Sequence, residues 1–396
     1  KGFTQAHFET ADAAADREPA APSAAGATPV PSGPAGTAFY TPGSPLGGKT
    51  HGDVLRARRL TGAAAVPGAA RTDLLLYRGT GVGGRAVGIS GALSIPKGKA
   101  PAGGWPVVSF AHGTTGLADS CAPTRSQGAG FSRYVYPTLT TWLKRGWAVA
   151  RTDYEGLGTP GVHPYLVGAS EGRSVLDIVR ASAQLDPRIS KKRVLIAGHS
   201  QGGHAAVWAA SLAPTYTPEL AVKGTVGFAP ASHTGEQATL ITALKDPSPL
   251  TGLAASILAG IEVERPALKI AEKLSDRARA LYPDVRTVCL PALLRPTSFG
   301  ALAPSELLRP DVDVAPIVAA LNANDPESVT VRTPLRVEQG TDDTTVFPVF
   351  TDQLVTELRA RGTRVTSVQR QGANHGDIVA KATAGATAWM AQRLKG

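Results

Sequence analysis

The sequence predicts an α/β fold in which a mostly parallel central sheet is covered by helices and interrupted by a helical insertion. Two observations lead to this prediction. Short strand-like apolar runs alternate with helical segments before residue 229 and again after residue 331, and such alternation is typical of parallel sheets buried on both faces. The alternation stops over 230–330, where helical apolar stripes and many prolines occur without a clear strand.

Length and composition allow a large buried core. The chain has 396 residues, 42% of them hydrophobic, and no apolar run reaches the roughly 18–20 residues that cross a bilayer. It opens with Lys1 instead of Met, which we interpret as a processed form. Residues 11–38 are mainly Ala, Pro, Gly, Ser and Thr, so we predict a flexible leader over 1–38.

Charge and cysteine usage narrow the function classes. The formal net charge is +10, but Lys and Arg are scattered and form no basic stripe with aromatic platforms, so no nucleic-acid partner is indicated. Attraction to anionic envelopes or polymers is compatible with this charge. Cys121 and Cys289 are too far apart for a CxxC redox or zinc motif, and they form either one disulfide or two buried thiols.

The first part of the chain predicts an antiparallel start followed by parallel strands. Residues 39–60 are interpreted as the entry into the fold. A glycine-rich turn over 79–84 separates the first two strands. The third strand ends in His-Gly-Thr-Thr-Gly at 112–116. The predicted elements before the insertion are strands 72–77, 86–95, 105–110, 147–152, 194–197 and 224–228 and helices 138–145, 175–185 and 203–211.

The insertion follows the sixth predicted strand, and the sheet then resumes. Its 101 positions are too many for a structureless loop, so we predict a helical cap or lid over 230–330. The catalytic domain then comprises 39–229 and 331–396. The elements predicted after the insertion are strands 334–338 and 364–369 and helices 350–361 and 377–394.

Residues 194–208 carry the clearest catalytic signal. A short run of strand formers precedes Gly-His-Ser-Gln-Gly at 198–202, and an Ala-rich helix follows. A Gly-x-Ser-x-Gly motif between a strand and a helix is the nucleophile elbow of the α/β-hydrolase fold. Side chains at 198 and 202 would strike neighbouring backbone in so tight a turn. Ser200 is therefore the predicted nucleophile.

A serine nucleophile needs a base and a carboxylate that orients it. In the α/β-hydrolase order the acid follows the serine and the histidine comes last. His375 is the one histidine beyond the strand–helix–strand unit at 334–369. In the loop 339–346, a Gly-x-x-Asp-x-x-Val pattern selects Asp343, with the adjacent Asp342 as the alternative.

The oxyanion of an acyl-transfer reaction needs preorganised donors. We expect one from the backbone N–H of Gln201, which follows the nucleophile, and another from the loop at 112–116. Gly113 allows close approach of that loop to substrate, and the hydroxyl of Thr114 or Thr115 could add a donor. This chemistry requires no metal and no cofactor.

Further substrate contacts are expected from Gly113, Tyr154, Ile257 and Leu258. Ile257 and Leu258 belong to the apolar stripe over 249–262, whose single charge is at the end. Such a face must be covered, either by packing against the catalytic domain or by an acyl chain in a tunnel above Ser200.

Several motifs together resemble the secretory lipase family of the α/β-hydrolases, in its bacterial branch. The likeness runs from about residue 39 to the carboxyl end. The motifs that carry it are Gly-His-Ser-Gln-Gly-Gly-His-Ala at 198–205, Cys-Ala-Pro at 121–123, Asp-Tyr-Glu-Gly at 153–156, Tyr-Thr-Pro-Glu-Leu at 216–220, Cys-Leu-Pro at 289–291, Asp-Thr-Thr-Val at 343–346, and His375.

The resemblance implies a secreted hydrolase of carboxylic esters, with lipid or acylglycerol esters as substrates and contact with a lipid interface. It also implies that Cys121 pairs with Cys289 and ties the oxyanion loop to the cap. Short-chain carboxylesterase, peptidase and acyltransferase activities remain open on the same triad. A secreted binding module with an inactive hydrolase fold would require a missing triad member, and none is missing.

Overall fold

The strands form a single nine-stranded sheet in a computed structural model that describes residues 30–125 and 130–395. Their order across the sheet is β1-β2-β3-β5-β4-β6-β7-β8-β9. The strands are β1 Val54–Arg59, β2 Arg71–Thr80, β3 Ala86–Ile95, β4 Trp105–Ala111, β5 Ala148–Thr152, β6 Ile189–His199, β7 Val222–Phe228, β8 Leu335–Gly340 and β9 Val365–Arg370.

The pairing makes the sheet mostly parallel, as predicted. β1, β2, β3 and β5 pair antiparallel in that sequence, while all other neighbours pair parallel. The β2–β3 hairpin spans the glycine-rich turn that predicted an antiparallel start. Since the carboxyl ends of parallel strands meet at one edge, the loops after β4, β6, β8 and β9 come together there.

Helices cover both faces of the sheet. Those on one face, α1 and α11, pack on alternate strand residues such as Val108 and Phe110. The opposite face, with Val107, is covered by α2, α3 and α10. These helices are α1 Tyr136–Lys144, α2 Gly168–Leu185, α3 Gln201–Tyr216, α10 Pro348–Ala360 and α11 Ile378–Arg393.

Strand β1 is an addition to the predicted fold. Its sequence Val-Leu-Arg-Ala-Arg-Arg lies in the segment that was predicted only as an entry, and charged side chains are typical of sheet edges. Because β1 is present, the strand predicted as the sixth is the seventh along the chain. Residues 30–38 of the predicted leader lie beside β1, with Ala57 N–H donating to Pro31 O at 3.0 Å; the rest of that leader lies outside the described residues.

The segment 230–330, called the insertion below, joins β7 to β8. It is built from six helices and several 3₁₀ turns around its own apolar cluster, which also includes Leu117, Tyr165 and Leu166 from the sheet-bearing part. Over the described ranges, every helix is too short or too polar to cross a membrane. The insertion's helices are α4 Thr234–Ile241, α5 Leu250–Glu264, α6 Ile270–Lys273, α7 Asp276–Leu281, α8 Leu290–Leu293 and α9 Ala315–Asn324.

Candidate active site

Ser200 lies at the sharp turn between β6 and α3. Its backbone has φ 58° and ψ −118°, a strained region for a residue with a side chain. A Cβ at Gly198 would lie 1.9 Å from Gly202 O, and a Cβ at Gly202 would lie 1.9 Å from Ala111 O. Only glycine therefore allows this crossing, and the turn places the serine at the amino end of a 16-residue helix.

The three residues predicted as a triad lie in hydrogen-bond contact. Ser200 Oγ is 2.9 Å from His375 Nε2, and His375 Nδ1 is 2.8 Å from Asp343 Oδ2. The carboxylate is buried while the imidazole is about one fifth exposed. In this geometry, Nδ1–H donates to the carboxylate and Nε2 faces the serine hydroxyl as an acceptor.

Asp343 and Asp342 have different surroundings. Asp343 Oδ1 accepts the backbone N–H groups of Thr345 and Val346, each at 2.8 Å. Asp342 is exposed, and its carboxylate accepts only the Thr341 hydroxyl among the hydrogen bonds of the described residues. The structure thus joins Asp343, and not Asp342, to the histidine.

The predicted oxyanion donors come from two places. One is Gln201, next to the serine in the chain, and the other is the loop at 112–116, which follows the neighbouring strand β4. Gln201 begins α3, where its N–H has no intrahelical partner. In the loop at 112–116, the Thr114 hydroxyl is 2.7 Å from Tyr165 Oη, whereas Thr115 Oγ1 is buried without a partner. A Cβ at Gly113 would lie 2.9 Å from Tyr134 Oη, so a larger residue there would require the Tyr134 side chain to shift.

A buried polar network under the elbow was missed from sequence. The Gln201 side-chain amide donates to Glu171 Oε1 at 2.7 Å and lies 2.8 Å from His163 Nε2. Glu171 Oε2 is 3.0 Å from His204 Nδ1. Glu171 is fully buried on α2, so this carboxylate fixes the first turn of the helix that carries the nucleophile.

Both nitrogens of His204 face acceptors. Nδ1 faces Glu171, and Nε2 is 2.8 Å from the carbonyl oxygen of Asn324 at the end of α9. Burial opposes charging, but the hydrogen bond and charge of Glu171 outweigh it and raise the pKa of His204. Through these two contacts, His204 joins α3 to the insertion.

Two other buried histidines near the elbow are held neutral. Burial lowers the pKa of His112 to about 4, and burial with the neighbouring His375 lowers the pKa of His199 well below its ordinary value. The His112 ring lies 2.7 Å from Gly113 O, and Tyr134 Oη lies 2.6 Å from His199 Nδ1. Both rings therefore lie beside the loop at 112–116 without adding charge to it.

The other residues predicted to contact substrate are packed in the structure. Tyr154 is fully buried with φ 71°, and its hydroxyl donates to His112 O at 2.9 Å, so it contacts the loop at 112–116. Leu258 is 6% exposed in the apolar cluster of the insertion, and Ile257 is partly buried against that cluster. Helix α5 passes close to the backbone of Tyr165 at Gly260. A Cβ at that position would lie only 2.3 Å from Tyr165 O.

The insertion is joined to the segment that follows β4. Cys121 and Cys289 form a disulfide with a Cα–Cα distance of 5.5 Å. Leu290 N–H, at the start of α8, donates to Thr115 O at 2.9 Å, and Gly116 forms an isolated β-bridge with Cys289. Backbone contacts therefore hold the loop at 112–116 to the insertion, and the disulfide adds a covalent link a few residues further along the chain.

Sheet topology, elbow and Ser–His–Asp contacts define the class of the α/β-hydrolases. Solved structures support this fold: Candida antarctica lipase A in its closed state has a TM-score of 0.77 at 23% identity, covering 90% of this chain and 85% of that one. The rice cell wall degrading esterase LipA from Xanthomonas oryzae has a TM-score of 0.68 at 21% identity, covering 87% and 97%.

The family is shown by a model of the secretory lipases that matches residues 134–396. The chain belongs to the secretory lipase family. Lipase A of Moesziomyces aphidis is 28% identical over 271 residues, which cover 65% of this chain and 56% of that protein. A Mycobacterium tuberculosis protein named as a probable inactive lipase is 27% identical over 266 residues, covering 63% and 56%. The match thus spans only about half the length of these curated relatives.

Proposed function

We propose that this chain is a secreted serine hydrolase of carboxylic esters, with lipid or acylglycerol esters as its substrates. The observation that carries the proposal is the continuous contact from Ser200 Oγ through His375 to Asp343, at 2.9 and 2.8 Å. An apolar insertion beside the oxyanion loop supports an acyl chain as part of the substrate. Relatives from Malassezia named secreted triacylglycerol lipases support the same substrate class and a secreted location.

In the proposed mechanism, His375 Nε2 takes the proton of Ser200 as Oγ attacks the ester carbonyl carbon. Asp343 stabilises the resulting imidazolium through Nδ1–H. His375 then donates the proton to the leaving alkoxide, and an acyl-enzyme ester on Ser200 remains. Water attacks that ester with the same histidine as base, which releases the carboxylic acid and restores the serine.

The proposed oxyanion hole combines the N–H of Gln201 with a donor from the loop at Gly113, Thr114 and Thr115. Thr115 is the better side-chain candidate, because the Thr114 hydroxyl is engaged by Tyr165. Tyr154 and the Cys121–Cys289 bridge position this loop. Removal of one oxyanion donor costs roughly 10²–10³ in kcat, so the loop is expected to govern rate and not only binding.

We further propose that residues 39–229 and 331–396 act as the catalytic domain and 230–330 as its cap. The apolar face of α5, with Ile257 and Leu258, would contact the acyl chain when the cap admits substrate. Short-chain carboxylesterase or acyltransferase activity is the alternative on the same triad, because the triad does not fix the acyl acceptor.

Labelling with a fluorophosphonate, followed by p-nitrophenyl esters from acetate to palmitate, tests the proposal. Wild-type protein should be labelled and hydrolyse the series. Ser200→Ala should lose the label, and Ser200→Ala and His375→Ala should each lower kcat by roughly 10⁴–10⁶ with the fold retained by circular dichroism. Retention of a tenth of the activity by either variant would remove that residue from the mechanism.

The second candidate is an inactive hydrolase fold that binds an ester without cleaving it. It is considered because the Mycobacterium tuberculosis relative is named as a probable inactive lipase. It predicts no label and no burst of p-nitrophenol at any chain length. The complete Ser–His–Asp contact argues for the active form. Backbone strain at the serine costs stability, and such strain is typical of sites that use it.

A further inference from the structure

His233, Glu327 and Glu357 form a cluster away from the serine. They come from three different elements: the residue before α4, the 3₁₀ turn Pro326–Ser328 and helix α10. One potential ligand atom from each lies within 4.8 Å of the other two. His233 and Glu327 belong to the two ends of the insertion, whereas Glu357 belongs to the sheet-bearing part.

The imidazole of His233 is aimed into this cluster. The residue is 6% exposed, and its Nε2 is buried without a hydrogen-bond partner. Nδ1 lies 3.2 Å from the Ser232 hydroxyl, and the ring stacks on Phe350 with centroids 5.9 Å apart. Ser232 therefore holds Nδ1, and Phe350 holds the plane of the ring, while Nε2 is left facing the cluster. In metal sites, the histidine nitrogen that does not bind the metal is usually held by a neighbouring group in this way.

The two carboxylates approach that unpartnered nitrogen at distances longer than hydrogen bonds. Glu357 Oε2 lies 3.4 Å and Glu327 Oε1 lies 3.8 Å from His233 Nε2, and Glu327 Oε2 is buried without a partner as well. With Nδ1–H directed to Ser232, Nε2 would present a lone pair to two acceptors. A cation bound between the three groups would interact with all of these oxygen and nitrogen atoms.

We propose that His233, Glu327 and Glu357 bind a divalent transition-metal ion of the zinc type. Bonds of about 2.0–2.2 Å in tetrahedral geometry place ligand atoms about 3.4 Å apart, close to the 3.4 and 3.8 Å observed here. An imidazole with two carboxylates suits such an ion. Glu357 is 48% exposed, so its side chain can move the small distance that closes the site and water can fill the fourth position.

The ion would have a structural role, because the proposed serine mechanism uses no metal. It would fasten both ends of the insertion to helix α10. The neighbouring Asp325 is already engaged, since its carboxylate accepts the N–H groups of Thr234 and Gly235 and the Thr234 hydroxyl. A ligand that binds only the folded chain raises its stability in proportion to the logarithm of its concentration, so zinc should raise the melting temperature.

Zinc chloride titrated into the full chain after chelator treatment, followed by calorimetry and thermal unfolding, tests the proposal. We expect one zinc per chain and a higher melting temperature with zinc. Glu357→Ala removes an exposed ligand without opening a cavity, and it should weaken zinc binding by at least about tenfold and abolish the thermal shift. Glu272→Ala, which removes an exposed carboxylate of the insertion that is paired with Lys269, is the matched control and should behave as wild type.

Equal zinc affinity in wild type and Glu357→Ala would overturn the proposal, because the binding would then belong to other histidines. A wild-type protein whose melting temperature does not respond to zinc would overturn it as well. Fluorophosphonate labelling of Ser200 does not depend on either result, so this test and that of the esterase proposal fail separately.

Discussion

At the scale of single residues, the two adjacent aspartates provide the sharpest comparison. Asp343 is buried and contacts His375, while Asp342 is exposed. We predict that Asp343→Asn lowers kcat by roughly 10⁴, since an amide in place of the carboxylate stabilises the wrong tautomer of the histidine. Asp342→Asn removes the same charge and should change kcat less than about threefold. Steady-state kinetics on p-nitrophenyl butyrate distinguishes the two variants. If Asp342→Asn lost activity while Asp343→Asn kept it, the triad carboxylate would be Asp342.

Spacing and order predict Ser200, His375 and Asp343 as a triad, because those signals are local motifs in a known chain order, and the structure brings the three side chains into contact. The bracing by Glu171 and His163 was not predictable in the same way. Glu171 lies 29 positions before the serine, on a different helix, and nothing near it in sequence marks it as buried. The choice between Thr114 and Thr115 likewise depends on Tyr165, which the fold brings to the loop.

At the scale of elements, the alternation of strands and helices predicted most of the sheet, but α2 begins seven residues before its predicted start. Gly168 and Gly172 disfavour a helix locally. The structure requires them because a Cβ at Gly168 would lie 2.1 Å from the Trp208 ring, and a Cβ at Gly172 would lie 2.9 Å from Ala209 N. Close packing of α2 on α3 thus overrides propensity, and periodicity alone cannot indicate that.

The contact of His204 with α2 and α9 leads to a pH prediction. Because its pKa is raised in the folded chain, its stabilisation is complete below the unfolded value of about 6.5 and is lost as pH rises through the folded value. The free energy of unfolding of wild type minus that of His204→Gln should therefore decrease with rising pH above about 6.5, by up to about 1.4 kcal/mol per unit. Urea unfolding from pH 6 to 9 measures it. A difference that stays constant would mean a neutral His204.

At the scale of the whole molecule, the disulfide joins Cys121, which follows the loop at 112–116, to Cys289 of the insertion across 168 positions. In the chain-entropy model, closure of so long a loop stabilises by up to about 5 kcal/mol. We predict that Cys121→Ala/Cys289→Ala unfolds at markedly lower urea and loses kcat, since Thr115 O and Leu290 N–H would be free to separate. Intact mass before and after reduction verifies the bridge, and alkylation of two thiols in native, unreduced protein would contradict it.

Substrate choice should depend on how the insertion lies over the sheet, and α5 allows a matched test. If its apolar face lines an acyl tunnel, kcat/KM should rise several-fold per added CH₂ until the tunnel is full, because each buried methylene contributes about 0.8 kcal/mol. Ile257→Trp, at a partly buried position, should then shorten the preferred acyl chain while acetate hydrolysis is retained.

Leu258→Trp, at a position only 6% exposed, should instead overpack the insertion and cost about 1–3 kcal/mol of stability. The p-nitrophenyl series and thermal unfolding separate the two effects. A flat chain-length profile that Ile257→Trp leaves unchanged would assign α5 to packing alone and the enzyme to short-chain esters.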